Sequence, residues 1–287
     1  MKEKIAVIVC GNSGIDYIKH DYDIKVFRSN LHLGNQDYID YIDITAAEFY
    51  RRIADNPNID LKTSQTSTGT MRETYRELEN QGFTDVIVIT ISSHLSGTYQ
   101  NAVLAGQMVN KLKVHVFDSK TVSYPEAKMA LVAAEMARRG ASVEEILTEL
   151  AYIRDNFRVY FSVDTLKFLV KNGRLSSTAG LLAGLFKIKP MLWITPEGKI
   201  ETLEKIRTHA KAVERLKEKF LEDVSGIKKF SVYIAYTNNI DLVEEIAEDI
   251  QKARPDIKEI FLTPLTPVVG AHAGPGTFGI GYIIERD

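Results

Sequence analysis

Asp85-Val86-Ile87-Val88-Ile89-Thr90-Ile91 runs directly into Ser92-Ser93-His94-Leu95-Ser96-Gly97-Thr98. A β-branched run this continuous, left through serines and a glycine, reads as a strand buried on both faces that hands over to a helix. Outward from it the rhythm repeats. Residues 5–9 and 114–117 are further apolar strands, and residues 70–80, 97–110, 126–139 and 143–154 carry helical spacing. Thr45-x-x-Glu48 and Ser142-x-x-Glu145 set a hydroxyl and a carboxylate three apart, the reciprocal pattern that serves free N–H groups at a helix start. Strands alternating with helices at these spacings require crossover connections. The first half is therefore predicted to be a parallel sheet with helices on both faces, with residues 26–28 and 38–42 as weaker edge strands.

Beyond residue 156 the texture changes. A short strand at 159–163 is followed by a helix through 170, with Asp164 as its cap and Asn172-Gly173 as its stop. Pro196-Glu197-Gly198-Lys199 reads as the turn of a hairpin between 192–195 and 200–206. Helices at 211–223 and 242–253 surround a strand at 231–236, and strands at 257–263 and 277–285 complete a second sheet. The expected architecture is a two-domain α/β protein, residues 1–156 and an α+β mixed-sheet domain over 157–287. No Ser/Gly/Pro linker divides them, so firm packing is expected.

Composition excludes several classes. The chain has 287 residues, 45% hydrophobic and 26% charged, a net charge of −2 and one cysteine, Cys10. A single cysteine rules out a disulfide framework or a cysteine-bound metal cluster. Basic runs no longer than two residues, such as Arg138-Arg139, argue against a nucleic-acid surface, which depends on clustered cations. No stretch approaches the roughly 18 apolar residues of a membrane span. Met1 to Val9 reads as a first strand rather than a signal peptide, giving a cytoplasmic expectation. Gly274-x-Gly276-x-x-Gly279 fits a dinucleotide-binding spacing, yet it precedes a strand instead of a helix and lacks the acid some 20 residues on.

Three clusters carry the chemistry that is present: Lys62-Thr63-Ser64-Gln65-Thr66-Ser67-Thr68-Gly69-Thr70, the serine-rich end of the 85–91 strand, and Val269-Gly270-Ala271-His272-Ala273-Gly274-Pro275-Gly276. In a parallel sheet ligands bind beyond the carboxyl ends of strands. Helix N-termini there present unpaired N–H groups, and added hydroxyls make a neutral cradle for a carboxylate or phosphate. Each cluster also admits a plainer reading. Serines and threonines at such points serve as N-caps, His272 as a structural histidine, and Arg174 as a cation at a helix end.

On these residues the chain resembles the DegV family of bacterial fatty-acid-binding proteins. The likeness rests on Lys62-Thr63-Ser64-Gln65-x-Ser67, on Ile91-Ser92-Ser93-x-Leu95-Ser96-Gly97-Thr98-Tyr99-Gln100, and on Asp118-Ser119-Lys120. Asn172-Gly173-Arg174 leading to Lys187-Ile188-Lys189-Pro190, and His272-x-Gly274-Pro275-Gly276, extend it over most of the chain. The resemblance implies a long-chain fatty acid such as palmitate held between two domains. Its carboxylate would lie on Thr63 and Ser93, with Ser92, His272 and Gly274 close by. It also implies an ATP-dependent fatty acid kinase as partner, with Arg174 at the docking position, and no catalytic residue, metal or cofactor in the chain itself. Residues 180–186 and Met191 are expected to wall the acyl tunnel. Cys10-Gly11-Asn12-Ser13 stands where the family has Thr-Asp-Ser, Thr66 where proline is usual, Tyr236 where histidine is common, and Tyr124-Pro125 in place of a glycine-rich stretch. Two other readings stay open: a serine hydrolase using Ser93 and His272, and a phosphotransfer protein like the dihydroxyacetone kinases.

Overall fold

The computed structural model describes residues 3–175 and 188–286, so the tunnel-wall assignment to 180–186 lies outside the described residues. β1 (Ile5–Cys10) and β2 (Ile24–Phe27) begin a parallel sheet, joined through two short 3-10 turns. β3 (Asn30–Leu33), β4 (Gln36–Ile39), α1 (Ala46–Asp55) and β5 (Leu61–Ser64) follow, and β4-β3-β5 form a small antiparallel sheet of their own. The sequence reading has only residues 38–42 of it, as an edge strand of the parallel sheet; the strand forms at Gln36–Ile39 and pairs here instead. The strands of the small sheet are four residues long, and Lys62-Thr63-Ser64 reads as loop until Thr63 is seen to pair with Leu31. α1 lays Phe49, Tyr50 and Ile53 on Leu31, Leu33 and Leu61.

α2 (Thr68–Asn80), β6 (Asp85–Thr90), α3 (Thr98–Gly106), β7 (Lys113–Asp118), α4 (Tyr124–Arg138) and α5 (Val143–Asp155) complete the first half. The strand order is β2-β1-β6-β7, all parallel. Ala6, Ile8, Val86 and Val88 face Met71, Tyr75 and Ala102 on α2 and α3, whereas Val7, Val9, Ile87 and Ile89 share a core with α4 and α5. Helices on both faces explain why the central strands β1 and β6 are apolar on both sides through Ala6–Val9 and Val86–Ile89. The capping box at Ser142 and Glu145 is complete. At Thr45 only half forms: its hydroxyl accepts from the Glu48 N–H, but the Glu48 carboxylate turns to Arg51 and Arg52.

The second half runs β8 (Phe157–Ser162), α6 (Lys167–Lys171), β9 (Met191–Ile194), β10 (Ile200–Glu204), α7 (His209–Asp223), β11 (Phe230–Tyr236), α8 (Ile240–Ala253), β12 (Ile260–Pro264), α9 (Pro267–Ala273) and β13 (Phe278–Ile284). Its six-stranded sheet has the order β10-β9-β8-β13-β11-β12, antiparallel except between β11 and β12. α7 and α8 cover one face through Leu216, Phe220, Ile246 and Ile250. The other face, with Val159, Leu192 and Tyr233, joins the same apolar cluster as Val9, Ile89 and Ala130 of the first half. The two domains thus share a core.

Two details differ from the sequence reading. Asp164 does not cap α6: Thr165 Oγ1 accepts from the Lys167 N–H, and the Asp164 carboxylate binds Lys189 Nζ. The glycine-rich 269–276 stretch, given no element in the sequence reading, holds the end of α9, a helix opened by Pro267 at its start and ended by Gly274 at φ 81°. Within α9, Gly270 lets α1 approach. A Cβ there would come within 2.3 Å of Tyr50 Oη and 2.9 Å of Phe49 Cε1. Gly270→Ala should destabilise the protein by about 1–3 kcal/mol through overpacking. Chemical denaturation checks this, and a midpoint at or above that of the native chain would show that α9 is not clamped by α1.

Candidate functional site

Between the two domains lies a cavity of about 350 Å³, within the range of about 300–1,000 Å³ common to small-molecule sites. Its position follows from the topology. The carboxyl ends of β1 and β6 supply Asn12, Ile91, Leu95 and Ser96, and the approach to α4 supplies Val122 and Ser123. The uncovered face of the six-stranded sheet supplies Val159, Phe161, Ile194, Ala235 and Gly279, and α9 adds Val268, Val269 and His272. Most of this wall is hydrocarbon.

Polar groups gather at the α9 end. Thr63 Oγ1, on β5, lies 2.8 Å from His272 Nε2. The other ring nitrogen, Nδ1, is buried and has no hydrogen-bond partner among the described residues. Burial, aided by the Arg174 charge, lowers the His272 pKa from 6.5 to about 4, so the ring is neutral at physiological pH. Arg174 also lines the cavity, its Nε donating to the Leu95 carbonyl (3.2 Å) and Nη1 to the Asn172 carbonyl (2.5 Å). Gln65, Ser96 and Thr98 continue the polar rim. Ser96 donates to Gln65 Oε1 at 3.2 Å, and its hydroxyl stands 2.8 Å from that of Thr98.

Of the residues singled out from sequence, Thr63, His272 and Arg174 meet at this end of the cavity. Ser92, Ser93 and Gly274 are not among its lining residues. Ser92 is buried and donates to the Gly198 carbonyl at 2.7 Å, pinning the β9–β10 turn to the first domain. A Cβ on Gly198 would come within 2.3 Å of that hydroxyl. Ser93 donates to Asp118 Oδ2 at 2.6 Å, while Asp118 Oδ1 accepts from the Ser93 and Lys120 N–H groups. Gly274 leaves room for Phe168, whose ring a Cβ would meet at 2.4 Å.

Sequence reasoning missed the role of Asn12 and its partner. Asn12 Nδ2 donates to Glu126 Oε2 at 2.6 Å, and Glu126 is fully buried in the first turn of α4. Burial pushes the Glu126 carboxyl well above its ordinary range, against the Asn12 hydrogen bond. The signal available was Glu126 on the same helix face as Ala130, Ala133 and Ala134, the apolar side of α4. Tyr233 was also missed, because an aromatic in a strand reads as core. Among the described residues no group of His, Cys, Asp or Glu side chains is placed to hold a metal ion, and no helix is long and apolar enough to cross a membrane.

Comparison with known proteins bears on this geometry. The family model described as "Uncharacterised protein, DegV family" matches residues 4–285. A DegV domain-containing protein of Clostridium acetobutylicum is 32% identical over 280 residues, covering 97% of this chain and 98% of the relative. Among solved structures, the fatty acid binding protein DegV from Bacillus subtilis superposes with a TM-score of 0.89 at 30% identity, over 99% of this chain and 100% of the other. A fatty acid binding DegV family protein from Streptococcus agalactiae gives a TM-score of 0.90 at 26% identity, with 99% and 100% coverage.

The buried imidazole predicts a pH effect. Between pH 6.5 and about 4 the unfolded chain takes up the proton that folded His272 excludes, so acidification removes up to about 3 kcal/mol of stability. Asp40 works the other way: burial raises its pKa from 3.8 to about 7, so its contribution is present in acid and lost as pH rises through 7. Comparing the native chain with His272→Gln cancels the Asp40 effect. Urea denaturation should show the native chain losing more stability than the variant between pH 7 and 4. Parallel profiles would mean that the imidazole is not held neutral.

Proposed function

The chain belongs to the DegV family, and we propose that it binds a long-chain fatty acid, carboxylate at the Thr63–His272 end and tail along the apolar cavity between the domains. The observation that carries this reading is the cavity itself, lying between the two domains with a mostly hydrocarbon wall and with Thr63, His272 and Arg174 together at the α9 end. The named activities of the Bacillus subtilis and Streptococcus agalactiae proteins support it.

The energetics agree. Burial of a methylene contributes about 0.8 kcal/mol, so about 14 of them offer about 11 kcal/mol. Ordering the tail and losing free motion take back several kcal/mol. The carboxylate must still be satisfied, since an unpaired buried anion would cancel the gain. The neutral ring carries one N–H and is bonded to Thr63, so the pair has one proton to offer a carboxylate: the Thr63 hydroxyl when Nε2–H donates to it, or Nδ1–H when Nε2 accepts from Thr63. The Arg174 charge at the rim adds to that neutral cradle without replacing it, since its own hydrogen bonds go to the Leu95 and Asn172 carbonyls. Contact with Ser93 requires its hydroxyl to leave Asp118.

In this reading the chain is a carrier that presents its acid to an ATP-dependent kinase, which forms the acyl phosphate, with the domains divided near residue 156. Arg174 is half-buried at the cavity edge, where one side chain can meet both a carboxylate and an arriving protein. The hydrolase alternative needs a bond between nucleophile and base. Here Ser93 donates to Asp118 and His272 pairs with Thr63.

Mass spectrometry of denatured protein purified from a bacterial host should reveal retained acyl chains of palmitate length. Lipid-free protein that also ignores labelled palmitate would defeat the carrier reading. Thr63→Val should weaken palmitate binding by about 1–3 kcal/mol, and Ser93→Ala by less, because its hydroxyl is already engaged. The reverse ranking in calorimetry would move the head group to Ser93. Arg174→Ala should retain palmitate affinity within a few-fold while acyl phosphate formation by the kinase falls about tenfold or more. Equal losses in both assays would make Arg174 a carboxylate ligand instead.

A further inference from the structure

On the cavity-facing side of the six-stranded sheet, two successive positions of the central strand β13 carry no side chain. Gly279 and Gly281 are successive residues on that face of β13. Gly279 pairs with Ala235 on one side and Phe161 on the other; Gly281 pairs with Tyr233 and Val159. The two glycines make a trough that starts near α9 and runs away from it along the strands. At Gly279 the trough is open to the cavity. At Gly281 it is filled.

The Tyr233 ring fills it by lying across its strand partner. A Cβ on Gly281 would come within 2.2 Å of Tyr233 Cζ and 2.3 Å of Oη. Tyr124, from the first turn of α4, covers the ring at a centroid distance of 4.9 Å, and Phe261 backs Tyr124 at 4.8 Å. Tyr233 is 1% exposed, and its hydroxyl has no hydrogen-bond partner among the described residues. No hydrogen bond seen here accounts for the phenol, so what remains is its ring, wedged at the end of the trough farthest from Thr63 and His272.

We propose that Tyr233 is the end stop of the acyl site and sets the longest chain the cavity accepts. The proposal rests on the fatty-acid reading and deepens it. A tail anchored at the α9 end and laid along the trough passes Gly279, with Ala235 and Phe161 as its flanks, and meets the ring edge at Gly281. Beyond the ring Ile283, opposite Ser231, closes the trough, so removing the ring lengthens the site only by the space between Gly281 and that side chain.

The test is a competition series of saturated acids of increasing length against the full chain, with thermal unfolding as a check on folding. Tyr233→Ala should move the best-bound length upward by about four carbons, the space a phenol ring vacates. Tyr233→Phe should leave it unchanged. Should the alanine variant fail to fold, Tyr233→Leu is expected to give a smaller shift in the same direction. A native length profile in whichever truncated variant folds overturns the proposal. Failure of the native chain to bind any acid in the series overturns the fatty-acid reading instead, and the end stop with it.

Discussion

A single hydrogen bond, 2.8 Å from Thr63 Oγ1 to His272 Nε2, joins residues 209 positions apart and fixes the polar end of the cavity. Everything that places those two atoms is part of the site. Thr63 is held by its pairing with Leu31 in the small antiparallel sheet. His272 is held in the last turn of α9, which Gly270 lets settle against Tyr50 and Phe49 of α1. The small sheet and α9 belong to different halves of the chain but share one apolar cluster. The site and the domain interface are thus one structure.

The electrostatics suit a ligand that brings its own charge. The imidazole is kept neutral by burial, the buried Glu126 is held toward its protonated form, and Arg174 stands half-buried at the rim with two backbone carbonyls as partners. A pre-formed salt bridge here would have to be broken on binding. Hydroxyl groups and a neutral ring demand no such exchange, and the remaining guanidinium capacity attracts an anion without binding it away from the tail.

Much of this architecture was legible in the chain. Residues buried on both sheet faces gave the parallel strands, because helix cover on two sides leaves no polar alternation. The hairpin was written in Pro196-Glu197-Gly198-Lys199, whose glycine sits at φ 87°. Thr63 and His272 were readable as chemistry through their motifs, but not as a pair, since no local pattern encodes a contact of that separation. The small sheet went unread as a sheet because its strands are four residues long: Asn30-Leu31-His32-Leu33 alternates, but two apolar residues are too few to set a strand apart from a loop. Ser92 and Ser93 stood out as donors, yet their hydroxyls are engaged by Gly198 and Asp118, a matter of tertiary neighbours alone. Tyr233 looked like core and is core; its position over a glycine is what gives it an edge on the cavity.

The most direct measurement is a crystal structure of the protein as purified from bacterial cells, with no lipid added. The account predicts continuous tubular density between the domains, forked within hydrogen-bond distance of Thr63 and His272 and ending against the Tyr233 ring. Side chains closing the space over Gly279, or an acid lodged elsewhere with those residues untouched, would contradict it.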